Sequence, residues 1–251
     1  AEWNVMRHKR MTEKSVVLTA SESGTTPEVL EAVKKMKGMG VRVYAMTKPE
    51  GPIGQAVGAE NCVAMASDHG SGGCEKGYYL AACFGLRLLN RRGCFPKSDK
   101  FMELSKKYAL APYTMFIGSG ALWGETILFS MCILEEMQWK RTRYITSADF
   151  FHGTLELVEP GVPVFLFMGE DENRKLDERV RAFLTRGVTG DTDINIIDPA
   201  EFAIPGLDDE FRVIVSPWIL TVLVTDRLAR YYETVTKHNL KYRRYYHQFD
   251  Y

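Results

Sequence analysis

Short apolar runs alternate with segments of helical period along most of the chain. Residues 16–20, Val-Val-Leu-Thr-Ala, predict a buried strand, and the apolar positions of residues 27–37 recur every three or four residues, which predicts a helix. The same alternation predicts strands at residues 41–46 and 61–66 and a helix from about residue 73 to residue 89. Such alternation is typical of parallel sheets with helices on both faces.

A second run of the same kind follows residues 91–96, Arg-Arg-Gly-Cys-Phe-Pro, which interrupt the pattern. Its predicted strands are 114–118, 143–146, 162–168, 194–197 and 212–216, and its predicted helices are 124–138, 171–185 and 217–236. We therefore expect an α/β protein of two domains, the first within residues 1–93 and the second within residues 94–251.

Composition narrows the classes of function. The 251 residues carry 32 basic and 32 acidic side chains, so no overall charge favours a nucleic acid or a membrane surface. The longest apolar run, residues 213–224, is too short to span a bilayer, and we expect no signal peptide. The five cysteines lack metal-ligand spacing and indicate reduced thiols of a cytoplasmic protein. We expect neither a metal nor a redox cofactor.

The strongest local signal is the segment at residues 21–28, Ser-Glu-Ser-Gly-Thr-Thr-Pro-Glu, which joins the first predicted strand to the first predicted helix. Backbone N–H groups at a helix start lack partners and lie at the positive end of the helix dipole, so an anion binds there favourably. Gly24 allows close approach to the backbone, and the hydroxyls of Ser21, Ser23 and Thr26 add donors. The segment therefore predicts a phosphate site.

An ordinary capped helix is the alternative interpretation of the same segment. Pro27 suits the first helical turn, and Glu28 could form a capping box with Thr25. A cap accounts for one hydroxyl and leaves the others without a role, so the phosphate site explains the segment better.

A carboxylate and a histidine form the second set of candidates. Glu136 comes just after the apolar helix of residues 127–134, where its carboxylate could be partly desolvated and suited to proton transfer. His152 follows two phenylalanines and precedes Gly153 in a predicted turn. Each also has a simpler interpretation, a solvated helix end for Glu136 and a packed structural group for His152.

These segments together resemble a known family. The segment at residues 21–28 resembles the phosphosugar-binding loop of sugar isomerase (SIS) domains, and residues 118–163 resemble the second SIS domain of sugar-phosphate enzymes. The nearest resemblance is to the bacterial fructoselysine, glucoselysine and fructose-asparagine 6-phosphate deglycases, which are related to the isomerase half of glucosamine-6-phosphate synthase. The motifs are Glu-Met-Gln-Trp at 136–139, Phe-Phe-His-Gly at 150–153, Glu-Pro-Gly-Val-Pro at 159–163, Asp-Glu-Arg at 177–179 and Arg-Arg-Tyr-Tyr at 243–246.

The resemblance implies a role for each candidate residue. Glu136 matches the general base that acts at the sugar C1 and C2 atoms, and His152 matches the general acid of ring opening, which the family supplies across a dimer interface. The groups that match the binding site of the 6-phosphate are those of Ser21, Ser23, Gly24 and Thr26. The residues that match a C-terminal segment folding over the substrate are Arg244, Tyr245 and Tyr246. A homodimer with shared active sites is therefore expected.

The chain also departs from the family pattern. Glu22 stands where the synthase has an uncharged glutamine, so we expect its side chain to stay out of the phosphate contacts. Asp149 and Thr154 replace a glutamate and a proline. The first SIS domain lacks its opening strand and the join at residues 96–106 is short, so we expect a first domain that is incomplete at its N-terminus, with segments omitted.

The resemblance implies cleavage of a 6-phosphorylated Amadori compound to glucose 6-phosphate and a free amino acid, without a metal. Which amino acid leaves stays open. An aldose–ketose isomerase or a synthase-like isomerase is the enzymatic alternative and would use the same Glu–His pair. The non-enzymatic alternative is a module that senses sugar phosphates, which predicts a DNA-binding domain and no Glu–His pair. The chain shows neither a helix-turn-helix motif nor a basic stretch.

Overall fold

The computed structural model describes residues 11–64, 100–187, 189–190, 192–202, 207–245 and 248–250. These residues fall into two compact units, one within residues 1–81 and the other within residues 82–251. The predicted helix at residues 73–89 and the predicted boundary between residues 93 and 94 lie outside the described residues, so both stay predictions. Each unit contains one parallel sheet.

The first unit is built on a three-stranded parallel sheet. Its strands are β1 (Val16–Ser21), β2 (Arg42–Thr47) and β3 (Cys62–Ala64), in that order across the sheet, and its described helices are α1 (Pro27–Gly38) and α2 (Pro52–Val57). The register pairs Ser21 with Thr47, so β1 and β2 end side by side. The strands and the helix predicted between residues 16 and 47 are confirmed.

The core of the first unit lies on one face of its sheet. Val33 of α1 and Ile53 of α2 are fully buried in this core. Successive residues of a strand point to opposite faces, and Val16 and Leu18 of β1 are 54% and 50% exposed. The strand itself is present, but the prediction that it is buried is wrong for the face that carries Val16 and Leu18. Helices α1 and α2 pack against the opposite face of the sheet.

The second unit is built on a four-stranded parallel sheet. Its strands are β4 (Tyr113–Ile117), β5 (Arg141–Ile145), β6 (Val164–Phe167) and β7 (Ile194–Ile197), in the order β5-β4-β6-β7. Its described α-helices are α3 (Lys100–Tyr108), α4 (Trp123–Ile127), α5 (Arg174–Leu184), α6 (Arg212–Leu220) and α7 (Ala229–Thr236). A π-helix, Leu128–Glu135, continues α4, and another, Thr221–Leu228, joins α6 to α7. The four strands predicted between residues 114 and 197 are confirmed.

Helices cover both faces of the second sheet. Phe116 of β4 packs with Phe129 of the first π-helix on one face, while its neighbour Met115 packs with Val180 of α5 on the other. All four side chains are fully buried. Burial on both faces explains why the inner strands read as continuous apolar runs. The predicted three-layer arrangement of helix, sheet and helix is confirmed for this unit.

The strand predicted at residues 212–216 is wrong, because these residues begin helix α6. The buried positions Val215, Ser216, Ile219 and Leu220 recur at helical spacing and pack into the core. A continuous apolar run of this length shows no periodicity, so the sequence pattern cannot distinguish a buried strand from a buried helix. Pro217, which was expected to start a helix, lies inside α6 instead.

A buried carboxyl group ties the carboxyl ends of the second sheet together. Asp177 of α5 is 0% exposed, and it accepts hydrogen bonds from Ser147 Oγ, after β5, at 2.5 Å and from Gly169 N, after β6, at 2.8 Å. Ser147 N donates in turn to Ser119 Oγ, after β4, at 2.8 Å. Burial raises the pKa of Asp177, while the hydrogen bonds from Ser147 and Gly169 oppose that rise.

We expect Asp177→Asn to make stability less dependent on pH. The pKa of Asp177 in the folded protein lies above its ordinary value of 3.8, so stability from this group is present below that pH and is lost as pH rises through the folded-state pKa. Asparagine cannot lose a proton, yet it can accept from Gly169 N and donate to Ser147 Oγ. Urea unfolding at several pH values should show the variant gaining stability relative to the parent as the pH rises above the ordinary value of 3.8.

Asp149→Asn, at an exposed carboxylate, is the matched control, and its stability difference from the parent should vary less over the same range of pH. A difference for Asp177→Asn that stays flat or falls with rising pH would contradict the prediction.

Candidate functional site

The predicted phosphate loop, residues 21–26, turns at the carboxyl end of β1. Ser21 Oγ lies 2.9 Å from Thr26 Oγ1, and Ser23 Oγ accepts hydrogen bonds from Thr25 N at 3.2 Å and from Thr25 Oγ1 at 2.9 Å. Gly24 adopts a left-handed φ of 71°, and its N–H donates to Ser21 O at 3.2 Å. The hydroxyls thus form two linked pairs at the start of α1, with Ser23 and Thr25 exposed.

The start of α1 differs in detail from the predicted cap. Thr26 is the N-cap residue and Pro27 follows it, but the Thr26 side chain makes no hydrogen bond to the N–H groups of the first turn. The alternative, a capping box between Thr25 and Glu28, is not formed, because Thr25 is not the N-cap residue and its hydroxyl donates to Ser23. The hydroxyl of Thr26 bonds to Ser21 instead, which leaves the first-turn N–H groups without a side-chain cap.

The loop is fixed to the next strand and helix of the first unit. Thr47 Oγ1, at the end of β2, donates to Ser21 O at 2.6 Å, and Gly24 O accepts from Ile53 N of α2 at 3.0 Å. A Cβ at position 24 would lie 3.1 Å from Thr47 Oγ1 and would need a left-handed backbone. Glycine is therefore required for this turn.

A second glycine turn, at residues 118–120, is occupied by a side chain of the protein itself. Asp171 accepts hydrogen bonds from Ala121 N at 2.5 Å and from Asn173 N at 2.8 Å, and it fills the space beside Gly120. A carboxylate already meets the N–H group that an anionic ligand would use. The N–H group of Ala121 is therefore already satisfied within the chain, although the turn lies at the carboxyl end of β4.

Glu136 follows directly on the π-helix that continues α4, at a sharp reversal of the chain. Lys140 N donates to Leu134 O at 2.8 Å, and Trp139 adopts a left-handed φ of 54°. This conformation costs roughly 1–2 kcal/mol for a residue other than glycine. The reversal places Trp139 and Lys140 beside Glu136 at the surface of the second unit.

The C-terminal segment lies over this helix end. Arg243 Nε is 2.8 Å from Glu136 Oε1, with the Arg243 side chain 17% and the Glu136 side chain 27% exposed. Arg243 Nη1 also donates to Leu240 O at 2.7 Å and to Tyr242 O at 2.9 Å. The guanidinium carbon of Arg244 lies 4.1 Å from the ring centroid of Trp139. The structure thus brings Arg244 and its neighbour Tyr245 together with Glu136, whereas Tyr246 lies outside the described residues.

These groups surround an open pocket of about 550 Å³ within the second unit. Its lining residues are Glu135, Glu136, Trp139, Lys140, Arg141, Arg243, Arg244 and Tyr245. Four of them are cations and two are carboxylates. Lys140 is partly buried, and this burial lowers its pKa because the charged form loses contact with water. The pocket therefore carries a net positive charge, and one of its two carboxylates, Glu136, is ion-paired with Arg243.

Three further polar residues hold the C-terminal segment to the end of the helix. Gln138 is only 4% exposed; its Nε2 donates to His238 O at 2.7 Å, and its Oε1 accepts from Thr236 Oγ1 at 2.8 Å. The ring of His238 packs edgewise on Trp139, with centroids 4.3 Å apart. Sequence reasoning missed this contact, because no local pattern connects residues one hundred positions apart.

Glu135, the other carboxylate of the pocket, is held differently from Glu136. Thr142 Oγ1 donates to Glu135 Oε1 at 2.5 Å, and Ser130 Oγ donates to Thr142 Oγ1 at 2.7 Å. This chain of hydroxyls orients Glu135 toward β5. The sequence indicated a possible role for Glu135 only through its position next to Glu136 at the end of the helix.

His152 lies apart from this pocket in the single chain. It follows the short 3₁₀ turn Asp149–Phe151, is exposed, and its side chain has no hydrogen-bond partner among the described residues. Phe150 and Phe151 instead pack on Phe183, with ring centroids 5.8 Å apart in each case. The interpretation of His152 as a packed structural group is wrong.

Neither a metal site nor a membrane span is found within the described ranges. No three histidine, cysteine, aspartate or glutamate side chains there are grouped as metal ligands would be. No helix of that part of the chain combines the length and the apolar character that crossing a membrane requires.

Comparison with known sequences gives relatives over nearly the whole chain. No protein-family model matches. The chain is 26% identical to the fructosamine deglycase of Bacillus subtilis, covering 93% of this chain and 76% of the relative. It is also 26% identical to the fructoselysine 6-phosphate deglycase of Escherichia coli, covering 94% of this chain and 72% of the relative.

Solved structures agree on the fold. A Bacillus subtilis protein assigned to the phosphosugar isomerases superposes with a TM-score of 0.74 and 24% identity, over 99% of this chain and 81% of that protein. The C-terminal domain of glucosamine-fructose-6-phosphate aminotransferase from Francisella tularensis superposes with a TM-score of 0.55 and 13% identity, over 96% and 76% of the two chains. The resemblance is therefore confirmed: the chain is similar to the fructosamine and fructoselysine 6-phosphate deglycases and has the two-sheet α/β fold of the phosphosugar isomerases.

Proposed function

We propose that this protein is a deglycase that cleaves 6-phosphorylated Amadori compounds to glucose 6-phosphate and a free amino acid. Its relatives with the names fructosamine deglycase and fructoselysine 6-phosphate deglycase support the reaction class. The observation that carries the proposal is the position of Glu136, whose carboxylate is oriented by Arg243 beside an open pocket. A positioned carboxylate of this kind can act as a general base.

The geometry leaves Glu136 able to accept a proton. Arg243 engages Oε1, and Oε2 has no partner among the described residues. In the reaction, Oε2 removes a proton from C1 of the ketoamine while the C2 carbonyl oxygen gains one, which gives an enaminol. A proton is then returned at C2 and the amine nitrogen loses its proton, so that the nitrogen becomes doubly bonded to C1. Water then adds to this imine, the bond between C1 and nitrogen breaks, and the products are an aldehyde sugar phosphate and an amine.

His152 is proposed as the acid that opens the sugar ring in a site shared between two subunits. Its imidazole is exposed and without a partner among the described residues, and it does not line the pocket of its own chain. These observations support a histidine that is available to another subunit. The pocket would then receive His152 of the partner subunit, and the protein would act as a homodimer.

The loop of residues 21–26 is proposed to bind the 6-phosphate. Its exposed hydroxyls and the uncapped first turn of α1 offer donors in the arrangement that anions prefer. Arg244 and Tyr245 border the pocket on the C-terminal segment, where they would cover the bound sugar.

The alternative function is an aldose–ketose isomerase, for which the same base would suffice. Product analysis separates the two, because only a deglycase releases an amine. The fold alone is shared by both kinds of enzyme and does not favour either one.

We expect the parent protein to release glucose 6-phosphate and free amine from a ketoamine 6-phosphate, and Glu136→Gln to lose this activity. Loss of a general base lowers turnover by about 10²–10⁴-fold. The substitution keeps the shape of the side chain, so binding of the substrate, measured by calorimetry, should change much less than turnover. Mass spectrometry of the products would measure turnover.

Glu156→Gln, at an exposed carboxylate outside the pocket, is the matched control and should turn over like the parent. Turnover of Glu136→Gln close to that of the parent would show that another group takes the proton. Conversion of the sugar without release of the amine would favour the isomerase.

We also expect binding of phosphorylated substrates to weaken when alanine replaces Ser21, Ser23 and Thr26 together. A hydrogen bond to a charged group contributes roughly 1.5–3 kcal/mol, so three losses should raise the KM by more than about tenfold. Steady-state kinetics with phosphorylated and unphosphorylated ketoamines would measure the effect.

Ser23→Ala alone tests the loop without disturbing the pair formed by Ser21 and Thr26. Thr12→Ala, an exposed hydroxyl outside the loop, is the control. Equal losses for both substrates would mean that the loop serves the fold rather than the phosphate.

A further inference from the structure

Three cations of the pocket around Glu136 have no counter-ion in the part of the chain that the structure describes. Lys140, Arg141 and Arg244 make no ion pair within 4 Å among the described residues, whereas Arg243 is paired with Glu136. The only other carboxylate of the pocket, Glu135, accepts from the hydroxyl of Thr142. An anion of the right shape would therefore meet several cations without displacing an existing pair.

Two of these cations lie where the local structure is energetically unfavourable, through burial of a charge at Lys140 and backbone strain at the residue that supports Arg244. Lys140 is half-buried, and burial without a counter-ion disfavours its charge. Arg244 stacks on the ring of Trp139, which occupies a strained left-handed conformation. A strained residue that supports a cation beside a pocket is typical of a ligand site.

The chemistry of the substrate brings an anion to this place. In a ketoamine the amine nitrogen is bonded to C1, the atom from which Glu136 would take a proton. In an amino acid linked through its α-nitrogen, the carboxylate carbon is two covalent bonds from that nitrogen, or about 2.5 Å away. When C1 lies at Glu136, the carboxylate must lie in the surroundings of Glu136, and those surroundings are the pocket of cations.

We propose that Lys140, Arg141 and Arg244 bind the carboxylate of the amino-acid part of the substrate. The inference rests on the proposed function and adds to it the group that the enzyme selects: a sugar phosphate whose amine carries a nearby carboxylate. The two guanidinium groups suit a carboxylate, because their planar N–H donors can bond both of its oxygens. Arg243 stays with Glu136 and orients the base.

A matched pair of substrates tests this proposal. Fructosylglycine 6-phosphate and fructosylglycinamide 6-phosphate differ in one group, a carboxylate in the first and a neutral amide in the second. We expect the double variant with glutamine at positions 140 and 244 to have a lower kcat/KM than the parent for both substrates or for the acid alone. The fall should be about tenfold larger for the acid than for the amide. The acid-to-amide ratio of kcat/KM in the variant is divided by the same ratio in the parent. This comparison cancels the difference in basicity between the two leaving amines.

Lys175→Gln, at an exposed cation of α5 outside the pocket, is the control and should leave the acid-to-amide ratio as it is in the parent. If the double variant fails to fold, Arg141→Gln, at an exposed side chain on the first residue of β5, should lower the same ratio by a smaller factor.

Each other outcome has its own meaning. Equal losses for acid and amide would show that the cations act on a part that both substrates share, such as the 6-phosphate, and would overturn the inference while leaving the deglycase intact. An unchanged ratio with both substrates still cleaved would overturn it as well. A parent that releases no amine from either substrate would overturn the proposed function, and the inference would fall with it.

Discussion

The ion pair between Arg243 and Glu136 is the interaction on which the candidate site depends. It is partly buried, with a distance of 2.8 Å, so removing either partner would leave a charge poorly compensated. Because the pair joins the end of a core helix to the C-terminal segment, it determines both the orientation of the carboxylate and the place of Arg244. The hydrogen bonds of Gln138 and the packing of His238 on Trp139 hold the same two segments together.

The two glycine turns show how one backbone arrangement serves opposite purposes. Both follow a parallel strand and precede a helical turn, where N–H groups attract an anion. At Gly120 the carboxylate of Asp171 satisfies that demand from within the chain. At Gly24 the hydroxyls pair with one another and the first turn of α1 keeps no side-chain cap. Of these two turns, the one at Gly24 is the turn whose following N–H groups have no side-chain partner, which supports the proposed phosphate site.

The proposed function gives the pocket around Glu136 two tasks, and different charged groups would perform them. Proton transfer needs a carboxylate with a free oxygen, and Arg243 orients this carboxylate through the other oxygen. The proposed recognition of an anionic substrate would use cations that are not already paired, and among the described residues Lys140 and Arg244 make no ion pair. The strained conformation of Trp139 serves both tasks, because it ends the helix beside Glu136 and supports Arg244.

Local pattern was enough to predict the parallel strands, the helix that leads to Glu136 and the loop after β1, because period and turn residues depend on near neighbours. It failed at residues 212–216, where a short apolar run fits a strand or a buried helix equally well. The interpretation of His152 as a packed structural group was also wrong, because its aromatic neighbours pack inward and leave the imidazole exposed. Only the tertiary structure decided that Asp171 fills the second turn and that Arg243 meets Glu136. Such contacts join residues far apart in the chain, and their distances depend on the path of every element between them.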